Sequence, residues 1–211
     1  MPLVSKSDRK PPASPRRRPV TLSDPSPDQR CLAVRASVGK PDAARELEAH
    51  LHTEQNSSVR SACFDALVDI ATADALMRIL HFLRSNDIAL RNSAITAAQR
   101  LPHQIAPAIE ALLSDPDAEQ RLVGVRLLEE LPHPCVQEWI AGVLSKETDP
   151  IVAAAALDVV AECVTEDMLK AVTKVRQRFA DSDFVCFAAD FVLSRLTTAK
   201  TSFAGGTPDG K

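Results

Sequence analysis

One pattern recurs along this chain with nearly constant spacing. Six segments can be laid over one another: QRCLAVRAS from Gln29, VRSACFDAL from Val59, LRNSAITAA from Leu90, QRLVGVRLL from Gln120, VAAAALDVV from Val152 and VCFAADFVL from Val185. Successive starts lie 30, 31, 30, 32 and 33 residues apart. Each segment carries small and apolar residues at helical spacing. A period of this size, held six times, is the mark of a repeat array in which each unit buries its apolar face only against the next.

A second helical stretch precedes each segment from the second onward, at about 42–52, 73–84, 104–114, 135–145 and 166–179. Leu76, Ile79, Leu80 and Leu83 show the i, i+3, i+4, i+7 spacing of one apolar face. Short polar turns separate the two: Gln55–Ser58, Ser85–Asp87, Ser114–Asp117, Thr148–Pro150 and Asp181–Asp183. Asp, Asn and Ser suit helix N-caps, and Pro suits the first helical turn. Each unit therefore reads as helix A, a tight turn and helix B, with the first unit holding helix B alone.

Composition agrees with helix packed on helix. Hydrophobic residues make up 45% of the 211, yet only 4% are aromatic, Tyr is absent and Gly occurs six times. A sandwich or barrel would call for more aromatic and β-branched residues and more Gly turns. The five cysteines, Cys31, Cys63, Cys135, Cys163 and Cys186, form no CxxC pair, and three fall on apolar helical positions. That usage fits a reducing cytoplasm rather than a disulfide framework. No apolar run is long enough for a signal peptide or a membrane span.

Charge is divided unevenly. Residues 1–22 hold Lys6, Arg9, Lys10, Arg16, Arg17 and Arg18 against Asp8, a net of +5, which leaves −8 for the rest of a chain whose total is −3. This arm also has five Pro and no apolar period, and it reads as a disordered basic tail. Residues 197–211 read as a second disordered tail, so the folded body is expected over 23–196.

The run Pro107–Asp117 followed by Gln120–Arg121 resembles the HEAT repeat family, in its short PBS-lyase-like form. There, a helix A with an early Pro leads to an Asp-Pro-Asp turn and a Val-Arg start of helix B. Val59–Arg60 and Leu90–Arg91 keep the pair, whereas Val152–Ala153 and Val185–Cys186 have lost the Arg. The resemblance covers about residues 24–196. It implies an all-α, right-handed α-solenoid of about six helix-hairpin repeats, the first incomplete, with helices B on the concave side. Such arrays most often bind other proteins, so the expected function is a scaffold, adaptor or regulatory subunit.

Enzymatic relatives of that family set the alternatives. Di-iron members carry His-Glu pairs, and no His-Glu dipeptide occurs here. DNA glycosylases need a basic groove, against which the acidic body argues. A bilin-lyase-like protein handling a cofactor stays open as an alternative, as does nucleic-acid binding through the basic arm. No catalytic residue, cofactor or metal site is expected. His103 and His133, each in a Leu-Pro-His corner, fall one period apart and read as polar turn residues. Trp139 reads as ridge packing.

Two features are candidates for partner binding. The first is the column Arg30, Arg60, Arg91 and Arg121, one per unit. It reads either as an anion-binding stripe or as a ladder onto turn residues such as Asp28, Asp87 and Asp117. The second is Phe184, Phe187 and Phe191, spaced i, i+3, i+7 in the last helix B. They stand where the second unit has Ser58, Ser61 and Asp65, the third Ala89, Asn92 and Thr96, and the fourth Glu119, Leu122 and Arg126. The core slots of that helix are already filled by Val185, Ala188, Ala189, Val192 and Leu193. The three rings are thus surplus to the stack. They suit another protein or a homodimer through the C-terminal repeat, unless Phe203 of the tail folds over them.

Overall fold

A computed structural model describes residues 20–162 and 166–204; side chains are described for 20–161 and 168–195. The basic residues of the arm, Lys6 to Arg18, and Cys163 lie outside the described residues. Among the described residues the chain is all-α.

The helices are α1 (Pro27–Ser37), α2 (Ala43–Leu51), α3 (Ser57–Ile70), α4 (Ala73–His81), α5 (Ile88–Gln99), α6 (Pro102–Leu113), α7 (Ala118–Leu128), α8 (Val136–Lys146), α9 (Pro150–Glu162), α10 (Glu166–Arg178) and α11 (Asp183–Ala204). A 3-10 turn, Phe82–Arg84, extends α4. Two boundaries differ from the sequence expectation. Leu22 packs against the core, and α11 runs on to Ala204, past residue 196.

Local chemistry accounts for where the helices begin. The Asn56 side chain accepts from the N–H groups of Ser58 and Val59, at 3.0 and 3.2 Å. Asp87 caps Leu90 at 3.1 Å, and Asp149 caps Ile151 and Val152 at 2.8 and 3.1 Å. Each supplies an acceptor to N–H groups that have no partner within the helix. Thr72 does the same for α4 through Ala75, at 3.1 Å. Pro27, Pro102 and Pro150 open α1, α6 and α9, where a missing N–H costs nothing.

Odd- and even-numbered helices form two rows. α1 packs on α3, α3 on α5, α5 on α7, α7 on α9 and α9 on α11; α2 packs on α4, α4 on α6, α6 on α8 and α8 on α10. An odd helix in the middle of its row has odd neighbours on both flanks and two even helices beneath, so its residues are buried around much of the circumference. In α3, Val59, Cys63, Phe64, Ala66, Leu67 and Val68 are all buried. An even helix buries one stripe, as α4 does with Ala75, Leu76 and Ile79. One continuous apolar cluster runs from Val34 to Val192.

Small residues set the closest approaches. Ala94, Ala97 and Ala98 of α5 and Ala153, Ala155 and Ala156 of α9 are buried. Gly124 of α7 lies against α6: a Cβ there would meet Leu113 Cδ2 at 2.9 Å and Leu112 Cβ at 3.1 Å.

Candidate functional site

The arginine column is built into the turns. Arg30 forks onto Glu54, with Nε to Oε2 at 2.6 Å and Nη2 to Oε1 at 3.0 Å. Arg121 makes the same fork onto Glu147, at 2.9 and 2.8 Å. Arg60 pairs with Asp87 at 2.8 Å and Arg91 with Glu119 at 3.1 Å. In every case the carboxylate belongs to the next unit. The same four guanidiniums reach backward as well. Arg30, Arg60, Arg91 and Arg121 each donate to the carbonyl six residues earlier, on Asp24, Glu54, Ser85 and Asp115, at 2.7 to 3.0 Å. Each Arg thus ties the turn before its own helix to the turn before the next odd helix. Cys186, at the column position of α11, points its thiol toward the carbonyls of Phe179 and Ala180 at 3.4 and 3.8 Å.

Of the acids named from sequence as partners, Asp87 takes that role. Asp117 instead caps α7 through the N–H of Glu119 at 3.0 Å, and Asp28 sits in the first turn of α1. Glu54 and Glu147 were missed by sequence reasoning. Both stand two residues before an N-cap, Asn56 or Asp149, and that spacing is the signal that could have found them. Each accepts from two backbone N–H groups of its turn besides the Arg fork. The Arg30 hydrogen bond, working against burial, holds the Glu54 carboxyl down at about 2. Burial pushes the Glu147 carboxyl up, but its bonds to Arg121 and to the N–H groups of Asp149 and Thr148 prevail and keep it below the usual range.

The histidines gather by register. His103 and His133 come within 5.8 Å, centroid to centroid, closer than the roughly 10 Å of a helix-to-helix spacing. His133 stacks on Trp139 at 4.8 Å, and the Trp139 indole N–H donates to Glu110. His52 and His81 form a second pair at 5.7 Å. His50 belongs elsewhere, bonded to Glu54 at 2.9 Å.

The open face of the odd row changes character along its length. Ser58, Ser61 and Asp65 line the groove between α1 and α3; Asn92 and Thr96 line the next. Between α5 and α7 lies a groove of about 530 Å³, bounded by Ile95, Thr96, Leu122 and Arg126 among others. At the matching positions α9 presents Ile151 and α11 presents the three phenylalanines. Phe184 is 51% exposed, Phe187 75%, Phe191 50% and Ile151 60%. Val185, Ala189 and Val192 of the same helix are buried. The Arg195 guanidinium lies 5.9 Å from the Phe191 ring centroid. The Phe203 side chain is outside the described residues. The α11 backbone carries residue 203 onward, about 18 Å along the axis from residue 191, and not back over it.

The described cysteines, Cys31, Cys63, Cys135 and Cys186, are free thiols. Burial pushes the Cys63 thiol up to about 12, which leaves it a core residue without nucleophilic character. No helix among the described residues is long and apolar enough to cross a membrane. Compared with known proteins, the chain matches no family model, no curated protein and no solved structure.

Proposed function

We propose that the chain is a right-handed α-solenoid of HEAT type that serves as a protein–protein scaffold, adaptor or regulatory subunit. It holds its partner on the odd-helix face, with the C-terminal end as anchor. The observation that carries this reading is the exposed cluster Phe184, Phe187 and Phe191, continued by Ile151 on the neighbouring helix. Four large apolar side chains, each half or more exposed, are costly to leave in water, and covering what remains exposed is worth about 1–2 kcal/mol each. Aromatic groups of this kind supply the central contacts of protein interfaces. The two-row packing and the 30-residue period support the solenoid; in that arrangement the odd row lines the concave side. The free thiols fit a reducing cytoplasm.

The arginines contribute differently. Arg60, Arg91 and Arg121 each hold a carboxylate and a carbonyl within the chain, so their role in binding is to shape the face rather than to capture anions.

The test is the double variant Phe187→Asp/Phe191→Asp. Light scattering reads mass, circular dichroism reads fold, and cross-linked capture from the native source compares the variant with wild type. A folded variant that turns a dimer into a monomer makes the partner a second copy. A folded variant that loses a protein captured by wild type makes the partner heterologous. A folded variant unchanged in both respects overturns the reading.

A further inference from the structure

Away from the odd-row face, the ends of α2 and α4 bring three donor groups together. Glu48 and His52 are four residues apart at the end of α2, so they share one side of it. His81 is the last residue of α4, the next helix in the even row. One ligand atom from each of the three lies within 4.8 Å of the others.

The rings are positioned by the core. His52 stands edge-on to His81, and the two rest at 5.0 and 6.0 Å from the ring of Phe82, which is buried. His81 Nδ1 lies 2.8 Å from Glu48 Oε1. The other carboxylate oxygen of Glu48 accepts from Arg78, whose guanidinium also forks onto Asp74 at 2.9 and 3.0 Å. Arg78 therefore fixes Glu48 from behind and leaves Oε1 toward the histidines. Glu48, Arg78 and Asp74 together carry one net negative charge, so an added cation meets attraction there. Both imidazoles are exposed, so the site is open to solvent.

Two imidazoles and a carboxylate are the donor set of a borderline divalent ion. Zn²⁺ binds His nitrogen and carboxylate oxygen at about 2.0–2.2 Å in a tetrahedron, which sets ligand atoms about 3.4 Å apart. His81 Nδ1 and Glu48 Oε1 start 2.8 Å apart and the other pairs lie within 4.8 Å, so reaching that geometry takes shifts of no more than about 1.4 Å, within the reach of two surface side chains. We infer that Glu48, His52 and His81 form a three-ligand site for a borderline divalent metal, Zn²⁺ foremost, with solvent at the fourth position. The bound ion joins the ends of α2 and α4 and so staples two successive units together, independently of the partner face.

Zn²⁺ itself is the probe, titrated by calorimetry into the untagged full chain under reducing conditions. One equivalent is expected with a Kd in the micromolar range, weakened at least tenfold in both His52→Ala and His81→Ala. Wild type is expected to gain several degrees in Tm at a hundredfold excess of Zn²⁺ over Kd, and the variants to gain none. Both variants stay folded by circular dichroism, since the rings are exposed. Co²⁺ separates this site from the thiols: a visible d–d spectrum without thiolate charge transfer supports it. Failure to saturate, unchanged affinity in the two variants, or a thiolate band that appears with the first equivalent each overturns the inference.

Discussion

Arg178 of α10 donates to the backbone carbonyl of Glu147 at 2.8 Å, the oxygen that lies six residues before Ala153. In the first four odd helices that oxygen is taken by the column arginine of the same helix. At α9 the column residue is Ala153, and an arginine from the following unit reaches up instead. Its Nη1 also bonds Leu144 O at 3.1 Å and its Nη2 bonds Ser145 O at 2.6 Å, which closes the end of α8. A lost ladder position has been refilled from the other side.

Replacing Arg178 by Met should therefore destabilise the chain by about 1–2 kcal/mol, since three carbonyls lose a charged donor. Arg178→Lys should recover less than half, because an ammonium cannot fork across three acceptors. Urea midpoints of the three proteins decide the matter. Equal midpoints would mean that water serves those carbonyls just as well.

Acid should remove a defined share of stability through Glu54. Its carboxyl sits at about 2 in the folded chain, against 4.5 as an ordinary Glu. A group held lower when folded stabilises fully above the unfolded value and loses that contribution as pH falls toward the folded one. Glu54→Gln should lie about 3 kcal/mol below wild type at pH 7, and the gap should close between pH 4.5 and 2. Urea unfolding of both proteins at pH 7, 4 and 3 reads it, and a constant gap would contradict it.

Two backbone positions should respond with opposite sign. Ala71 caps α3 in the left-handed region at φ 51°, a conformation that disfavours a Cβ, and the residue is exposed. Ala71→Gly should stabilise by about 0.5–1 kcal/mol, a rise of a few degrees in Tm. Gly124→Ala should destabilise by about 1–3 kcal/mol, as the added methyl would sit 2.9 Å from Leu113 Cδ2. Thermal melts of the pair test both.

The last odd helix offers a contrast within eight residues, Val185 to Val192. Phe187→Asp should change stability by less than about 1 kcal/mol, because that side chain is 75% exposed. Val185→Asp and Val192→Asp, on the buried side of α11, should unfold the C-terminal unit or the whole chain. Circular dichroism with urea titration distinguishes them, and a Phe187→Asp protein as unstable as Val185→Asp would mean that the ring is covered.

Much of this architecture was legible because its signals are local. Caps such as Asn56, Asp87 and Asp149 act within three residues, and an apolar stripe such as Leu76 and Ile79 spans one turn. The surplus rings of α11 were legible for the same reason. Register placed them against Asp65, Thr96 and Arg126, which meet water. The partners of the arginines were only half legible. Glu54 lies 24 residues beyond Arg30 and Glu147 lies 26 beyond Arg121, and no rule of local spacing joins them. Likewise, Arg178 carries no repeat signature and finds its place by reaching 31 residues back to Glu147.

The chain's own order of residues thus determined the helices, where most of them begin, their alternation and which faces are apolar. Each of those follows from 3.6-residue periodicity, capping and side-chain size. Tertiary structure alone decided that Arg30 and Arg121 meet Glu54 and Glu147, and that His52 and His81 both come close to Glu48. These depend on how far one unit is rotated and shifted on the next. That rotation is the outcome of packing summed over a whole interface, where small residues such as Gly124 and Ala98 allow helices to approach and larger ones hold them apart.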